Sequence, residues 1–495
     1  MTEPQRATVR DVFTREVRGA TIAILLTVAL AAFEGLAVSA ALPQVAADLG
    51  NIDLLPWVIT SFGLTSGVAT VASGPLVDTV GVSRVFRSAV IVFTVAGTAA
   101  GLVNSMPLMI AARLVQGAGA GATIAVGLAA VGLVYPRELI GRAFALNSTV
   151  WGVMGVAAPA LAAAMLIAGS WRWIFLVNLP LGLIALLAGW RSLPAQGDGD
   201  DGARTRLDLV GLTMVAAFTA AVLIGVDALG PGSVVGAAAA VGTGWLFLRW
   251  ARRTDAPVMR VRHIRDAPFG PLAWSISLLL SGALAVVSFL PLYVQGGRGA
   301  GTALTAWSVL FFTVGWTLGA NLASRIQDFV AESTVMVASF AIAVPCAVTV
   351  ALLTAAGQPL WLIFAVLTVM GCSVGGATNA ALTLLRALAD DEELGRAVAA
   401  HQFLRNQGIS VGAALGGATI LLVVGSRVGD TERVRDLLTG AATGSSAVVA
   451  DAISAGFANT GFIGGAVIAV GAVPLIVLRR YLAPARRRRR SEPRS

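Results

Sequence analysis

The chain has 495 residues, of which 57% are hydrophobic and only 12% are charged, and its mean hydropathy is +0.82. A soluble domain carries about a quarter charged residues, so the composition excludes an ordinary soluble protein and indicates a polytopic membrane protein. All 35 basic residues are arginine, which excludes a P-loop nucleotide hydrolase because that loop binds phosphate through a lysine.

Apolar runs bounded by Gly, Pro and charged residues predict fourteen membrane-spanning helices, each near the ~20 residues that cross a bilayer. In chain order they fall near residues 19–41, 54–77, 84–103, 106–134, 141–168, 172–191, 208–229, 233–251, 268–294, 303–325, 333–355, 359–386, 396–424 and 456–480. If the chain starts inside, 28 arginines fall in cytoplasmic segments and five in external ones. We therefore expect a multi-pass protein of the cell membrane with both termini in the cytoplasm.

The spans and the polar segments between them predict five regions. These are a cytoplasmic segment (1–18), a six-helix bundle (19–191), a linker with two extra transmembrane helices (192–266), a second six-helix bundle (267–480) and a basic cytoplasmic tail (481–495). An external loop at 425–455 is expected as a short hairpin or a lid. Arg486 to Arg490 in the tail are expected to contact anionic lipids, at ~1 kcal/mol per residue, rather than nucleic acid.

Two ionisable residues interrupt apolar spans. Glu34 lies about seven residues from the external end of the first span, and Arg113 about seven residues from the external end of the fourth, so both are roughly 10 Å deep. Gln116 and Gly117 share the Arg113 helix face. A buried carboxylate is expensive unless paired or protonated, which predicts that Glu34 exchanges protons and that Arg113 tunes it. The alternative is a static pair that fixes helix packing.

The segment after the second span contains Gly74, Asp78, Gly81 and Arg84. Glycines permit a tight turn and close helix approach, and Asp78 can cap a helix or pair with an arginine across a domain interface. We predict a conformational latch here, meaning a contact that holds one state and releases in another. An ordinary turn is the alternative.

Further candidates are single residues within spans. Trp151, Asn321 and Asn379 are predicted, with Gln116, to line a substrate cavity, although an intramembrane amide also serves as a helix–helix hydrogen bond. In the fifth span, Gly152, Gly155 and Pro159 predict either a gating bend or tight packing, as Gly117 and Gly119 do in the fourth. The remaining polar groups are expected to be passive. Arg405 snorkels to the cytoplasmic surface, Asp227 is interfacial, and His263 and His401 are isolated and either solvated or interfacial. Cys346 and Cys372 form neither a disulfide nor a metal site.

Several of these motifs together resemble one family. They are Glu34 followed by Ala41-Leu42-Pro43; Gly74, Asp78 and Gly81; Arg113, Gln116, Gly117 and Gly119; and Trp171-Arg172-Trp173 with Asn178 and Pro180. The chain resembles the major facilitator superfamily (MFS), specifically its fourteen-helix drug:proton antiporter branch. The resemblance implies an all-α integral membrane fold of two six-helix bundles with inverted repeats plus two inserted helices. It also implies proton-coupled export of hydrophobic or cationic small molecules by alternating access, without a cofactor.

The chain departs from the family pattern at three places. Glu34 stands where the family usually has aspartate, Thr79 and Ser83 stand near positions that are usually basic, and alanines at 162 and 163 replace the glycines of the antiporter motif. Two alternatives therefore stay open: export of a lipid or cell-envelope precursor, and a non-transporting sensor built on the same scaffold. No nucleophile–base or metal constellation predicts an enzyme. The substrate and proton stoichiometry are not indicated, and a monomer is expected.

Overall fold

The computed structural model describes residues 9–50, 54, 57–194, 208–227, 231–390, 393–428 and 447–491. A short 3₁₀ helix, Val9–Phe13, precedes seventeen α-helices in these residues, and no strand occurs among them. The α-helices are α1 (Arg18–Leu49), α2 (Trp57–Val80), α3 (Val82–Leu102), α4 (Met106–Val134), α5 (Arg137–Ile167), α6 (Arg172–Leu176), α7 (Asn178–Gly189), α8 (Leu209–Asp227), α9 (Pro231–Ala251), α10 (Val261–Ile264), α11 (Phe269–Val287), α12 (Leu290–Leu292), α13 (Thr302–Ile326), α14 (Glu332–Ala355), α15 (Leu360–Leu388), α16 (Leu394–Val428) and α17 (Ala447–Ser491).

Each predicted span coincides with a helix or with consecutive helices of the structure. Within the described residues, eleven spans have the length and hydropathy to cross a membrane, or twelve if the two inclined parts of α5 form one. The other two predicted spans are α2, which contains several serines and threonines, and α8, whose apolar part Leu209–Val222 is short. An all-helical membrane fold is therefore confirmed, whereas fourteen crossings remain a prediction.

Some helix boundaries differ from the sequence predictions. The sixth predicted span is broken at Val177 into α6 and α7, and the ninth continues through α12 into a π-helical turn, Tyr293–Gly297. Helices α16 and α17 extend into the predicted loop at 425–455, of which residues 429–446 lie outside the described part. The side chains of Arg486 to Arg490 are also outside it.

The chain forms two compact units. The first comprises Met1–Leu223, Ala238–Ile264 and Leu382–Phe403. In it α2 and α3 pack on α4, and α1 packs on α5 and α7. Lipid is as apolar as a leucine side chain, so close backbone approach has to hold such helices together. At the α2–α4 contact a Cβ on Gly117 would overlap Phe62 O, and one on Gly121 would overlap Ser66 O.

The second unit comprises Ile224–Ala237, Arg265–Ala381 and Leu404–Ser495. Helices α11 and α14 pack on α17. Glycines bring its helices together too, since a Cβ on Gly319 or Gly375 would overlap the carbonyl of Cys372 or Trp316 across the α13–α15 contact. A parallel ring stack of Tyr293 and Phe457, with centroids 4.5 Å apart, fills the space beside α17. The predicted limits of the two bundles remain predictions.

Candidate functional site

The central feature of the first unit is a buried ion pair between α1 and α4. Glu34 is 0% exposed and Arg113 is 2% exposed. Arg113 Nη1 lies 2.8 Å from Glu34 Oε2 and donates a hydrogen bond to it. Two residues 79 positions apart in the chain, predicted only to lie at the same depth, are therefore in direct contact.

Two amides complete the surroundings of the carboxylate. Gln116 Nε2 donates to Glu34 Oε1 over 2.7 Å, while Gln116 Oε1 accepts a 2.7 Å hydrogen bond from Arg113 Nη1. Asn178 Nδ2, on the first residue of α7, also donates to Glu34 Oε1. Both amides are 0% exposed. Glu34 thus links α1 to α4 and α7 through three charge-assisted hydrogen bonds, which are about twice as strong as neutral ones.

Arg113 has further contacts that do not involve Glu34. Its Nε donates to the carbonyl of Val58 over 3.1 Å. Its guanidinium carbon lies 4.1 Å from the ring centroid of Phe62 and 5.7 Å from that of Phe175. Aromatic faces attract cations, more strongly when the cation is desolvated. The arginine charge is therefore stabilised from several sides, and the carboxylate is one partner among several.

Glycines make room for this cluster. A Cβ on Gly97 of α3 would lie 2.7 Å from Gln116 Nε2 and 3.0 Å from Asn178 Nδ2, so only glycine leaves space for both amides. Predicted packing glycines act similarly: Gly117 adjoins Phe62 O, and Gly119 adjoins the backbone nitrogen of Phe93. The apolar wall beside the site includes Phe33, Trp171 and Phe175, and Trp171 Nε1 donates to Asp48 over 2.8 Å.

Asn178 contacts Glu34, although the sequence indicated it only as part of the family motif with Trp171-Arg172-Trp173. Its Nδ2 meets Glu34, whereas its Oδ1 is buried without a hydrogen-bond partner among the described residues. The sequence feature that could have indicated this residue is an amide within an apolar span, two residues before a proline. Nothing in the sequence showed that α7 turns this amide towards Glu34 on α1.

The predicted latch residues bring α2 against the first turn of α16. Asp78 Oδ2 lies 3.4 Å from Arg396 Nε, and the backbone N–H groups of Gly395 and Arg396 face the same carboxylate. A Cβ on Gly74 would lie 2.9 Å from Arg396 Cα, which requires glycine. Asp78 lies just beyond the predicted second span, and burial raises its pKa from 3.8 to about 7, although Arg396 and the N–H groups oppose this shift.

The other two latch residues do not meet the carboxylate in a described contact. Gly81, with φ of 90°, makes the tight turn between α2 and α3, a conformation that favours glycine. Arg84 follows it and is exposed to solvent. Arg396, which lies 318 residues from Asp78 in the chain, is the arginine that faces Asp78.

A second group of charges near α16 corrects the prediction for His263. This histidine is buried, and its Nε2 lies 3.4 Å from Glu393 Oε2. Arg262 pairs with the other oxygen of Glu393 over 2.9 Å. Burial, and then the nearby positive charges, lower the pKa of His263 to about 3. His263 is therefore a packed, neutral side chain and is neither isolated nor at a surface.

The predicted substrate-cavity residues are not assembled around one point by the described contacts. Gln116 belongs to the Glu34 cluster, and Trp151 is 38% exposed on α5. In the second unit, Asn321 Nδ2 donates to Thr317 O over 2.8 Å, and Asn379 Oδ1 accepts from Gln327 over 2.9 Å. The bond of Asn379 joins α15 to the end of α13, as the alternative interpretation expected, whereas the bond of Asn321 lies within α13. A substrate-cavity role for these residues stays a prediction.

The predicted bend in α5 has a counterpart in the structure. The parts Arg137–Gly155 and Ala160–Ile167 are inclined by 43°, and Pro159 lies between them. Gly152 and Gly155 lie on the first part and are half-buried. Proline removes one helix hydrogen bond and so accounts for a bend.

Groups that would hold a metal were not found in the described residues. No three His, Cys, Asp or Glu side chains there come close enough to bind an ion. Cys346 and Cys372 are free thiols.

Comparison with known proteins is consistent with this description. The Major Facilitator Superfamily profile matches residues 23–413. The transporter YebQ of Escherichia coli is 30% identical over 58% of this chain, and the match spans 65% of YebQ. The riboflavin transporter RibZ of Clostridioides difficile is 24% identical over 72% of the chain and 78% of RibZ. The multidrug transporter MdtP of Bacillus subtilis is 23% identical over 80% of the chain and 74% of MdtP.

A solved structure shares the fold. The proton:xylose symporter XylE superposes with a TM-score of 0.63 at 12% identity, covering 94% of this chain and 96% of XylE. At that identity the likeness concerns the architecture alone.

Proposed function

The chain belongs to the major facilitator superfamily, and we propose that within this family of transporters it is a proton-coupled exporter of hydrophobic or cationic small molecules. It would work by alternating access, as a multi-pass protein of the cell membrane with both termini in the cytoplasm. The observation that carries the proposal is Glu34, a fully buried carboxylate held by Arg113, Gln116 and Asn178. Relatives named as multidrug transporters support the substrate class.

The surroundings of Arg113 favour a carboxylate that changes its protonation state. Removing one charge of a buried pair is ordinarily very costly, because the other charge is left unpaired. Here Arg113 keeps the Gln116 oxygen at 2.7 Å, the Val58 carbonyl at 3.1 Å and the Phe62 ring when Glu34 takes up a proton. These contacts lower the cost of the neutral glutamic acid, so the site tolerates both protonation states.

A cationic substrate would compete with the proton for the same carboxylate. When Glu34 is ionised, its charge balances that of Arg113 and attracts a cation. When Glu34 is protonated, that attraction is lost, and Arg113 alone remains charged and repels the cation. Protonation of Glu34 and binding of a cation therefore oppose each other.

We propose that Asp78 supplies the latch. The first turn of α16 presents two backbone N–H groups and Arg396 to this carboxylate, and a helix N-terminus favours negative charge. Gly74 permits the close approach. The contact would stabilise one state of the transport cycle and separate in another.

The test is proton flux in proteoliposomes with an imposed pH gradient, read from an internal pH dye. Hydrophobic cations and neutral drugs are added to the wild type, to Glu34→Gln and to the control Glu332→Gln, which lies at the first turn of α14. We expect substrate-triggered proton flux in the wild type and the control, and none in Glu34→Gln. Uphill export retained by Glu34→Gln would refute the coupling role and leave the ion pair as a packing device.

A further inference from the structure

Arg405 lies deep in the second unit, contrary to the prediction that it snorkels. Its guanidinium carbon is 5.8 Å from the ring centroid of Trp316 on α13. The apolar span that contains this tryptophan is Trp307–Ile326, so Trp316 lies near the middle, ~14 Å from each end. Helix α16 begins at Leu394, which adds three turns before Arg405. The prediction judged the depth of Arg405 from the strongly apolar run at 409–424, and not from the start of the span itself.

Within the described part of the chain, the arginine pairs with no acidic side chain. None of the ion pairs among the described residues includes Arg405. Its Nη1 has a long, 3.4 Å hydrogen bond to Oδ1 of the adjacent Asn406. The side chain is partly exposed. A cation at mid-depth normally pairs with an acid or faces water, so a residue in this setting is a candidate for a functional site.

The packing of α16 against α11 fixes the side of the helix on which Arg405 lies. Cβ atoms on Gly408 and Gly412 would overlap the carbonyls of Ser277 and Ser281 on α11. The hydroxyls of the same two serines donate to the carbonyls of Leu404 and Gly408, over 2.8 and 2.7 Å. These contacts hold α16 in one rotational setting against α11. The direction in which the Arg405 side chain leaves α16 is therefore fixed.

We propose that Arg405 and Trp316 bind the anionic group, a carboxylate or a phosphate, of a transported hydrophobic compound. Guanidinium presents parallel N–H donors that match the two oxygens of such a group, and Asn406 adds an amide beside it. The tryptophan face offers an apolar surface for the body of the same compound. The inference rests on the proposed function for the statement that the ligand is transported. It extends the substrate class from neutral and cationic compounds to anionic and zwitterionic ones.

Binding of a matched set of probes tests the site. The probes share a naphthalene ring and differ in the attached group: naphthalene-2-carboxylate, naphthalen-2-ylmethyl phosphate, methyl naphthalene-2-carboxylate and naphthalen-2-ylmethylammonium. Dissociation constants are measured by calorimetry on the full chain in nanodiscs of zwitterionic lipid, without a proton gradient. We expect the wild type to bind the carboxylate or the phosphate about tenfold or more tightly than the ester. Preference for one of the two anions identifies the group.

Variants assign the effect to Arg405. Arg405→Gln should abolish the preference for the anions over the ester. Arg405→Lys should retain part of this preference, because lysine keeps the charge but lacks the parallel N–H donors of guanidinium. Arg325→Gln removes the same charge at the exposed end of α13 and should leave the preference unchanged. Trp316→Leu should weaken all four probes alike. An unchanged preference in Arg405→Gln, or no preference in the wild type, would overturn the proposal.

The outcome separates this site from the proposed function. If Glu34→Gln keeps its uphill export while Arg405→Gln loses the anion preference, the proton-coupling role fails and the anion site stands. If proton-coupled export is confirmed but Arg405 has no effect on probe binding, the anion site fails alone.

Discussion

Replacing Arg113 with glutamine should destabilise the fold strongly because it leaves Glu34 buried without its positive partner. The carboxylate is 0% exposed and loses the contact at 2.8 Å. Breaking a buried pair in this way costs about 3–5 kcal/mol. The amides of Gln116 and Asn178 still donate to Glu34, so we expect the lower end, ~3 kcal/mol.

The matching Glu34→Gln variant leaves Arg113 charged, and the double variant leaves neither charge. We therefore expect the double variant to be less destabilised than the sum of the single variants, by about 2 kcal/mol or more. The free energy of unfolding is measured in mixed micelles at pH 7. Arg172→Gln supplies the control, because Arg172 bonds to the carbonyls of Gly101 and Val103 and should add independently to Glu34→Gln. A Glu34–Arg113 coupling within ~0.5 kcal/mol of zero would refute the argument.

Two predictions concern pH. Burial raises the pKa of Asp78 from 3.8 to about 7, so between these pH values the folded state binds a proton that the unfolded state releases. The free energy of unfolding should therefore fall as pH rises from about 4 to 7. The Asp78→Asn variant should lack this pH dependence. Burial lowers the pKa of His263 from 6.5 to about 3, so the unfolded state binds a proton between these pH values and the folded state does not. The stability that the neutral histidine contributes should be complete above pH 6.5 and should decline as pH falls towards 3. The His263→Gln variant should lack that decline. Melting curves of the wild type and each variant between pH 4 and 8 check both; parallel pH profiles in variant and wild type would contradict the corresponding pKa shift.

The part of the site that the sequence predicted is the part encoded by helix geometry. Glu34 and Arg113 each lie about seven residues from the external end of antiparallel spans, which puts them at one depth. A spacing of three residues puts Gln116 on the Arg113 face. Their direct contact depends on how α1 and α4 are rotated about their axes. Side-chain periodicity gave little information on that rotation, because these spans are apolar on almost every face.

Other contacts were not predicted because they join residues that are far apart in the chain. Asn178 and Glu34 lie 144 residues apart in the chain, and their contact depends on how α7 is rotated against α1. The partner of Asp78 is Arg396, at the start of a helix that the apolar pattern placed two residues too late. The depth of Arg405 was misjudged for a different reason, since it was taken from the apolar run that follows the polar residues at 401–407. Polar residues inside a span conceal its ends, and those are also the residues that carry candidate sites.

Three hydrogen bonds meet at the Glu34 carboxylate, and a proton bound there would weaken the contacts between the helices that they join. Ionised Glu34 joins α1 to α4 through Arg113 and Gln116, and to α7 through Asn178. Protonation leaves the bonds from Gln116 and Asn178 neutral and removes the negative partner of Arg113, so each of the three is weakened by roughly 1–2 kcal/mol. Together the change is ~3–6 kcal/mol, close to the ~5.5 kcal/mol that converts a 1:99 population of two states into 99:1. A single proton at Glu34 is therefore large enough, on the proposed mechanism, to bias the packing of three helices. An isolated carboxylate–arginine pair would supply only about a third of that change.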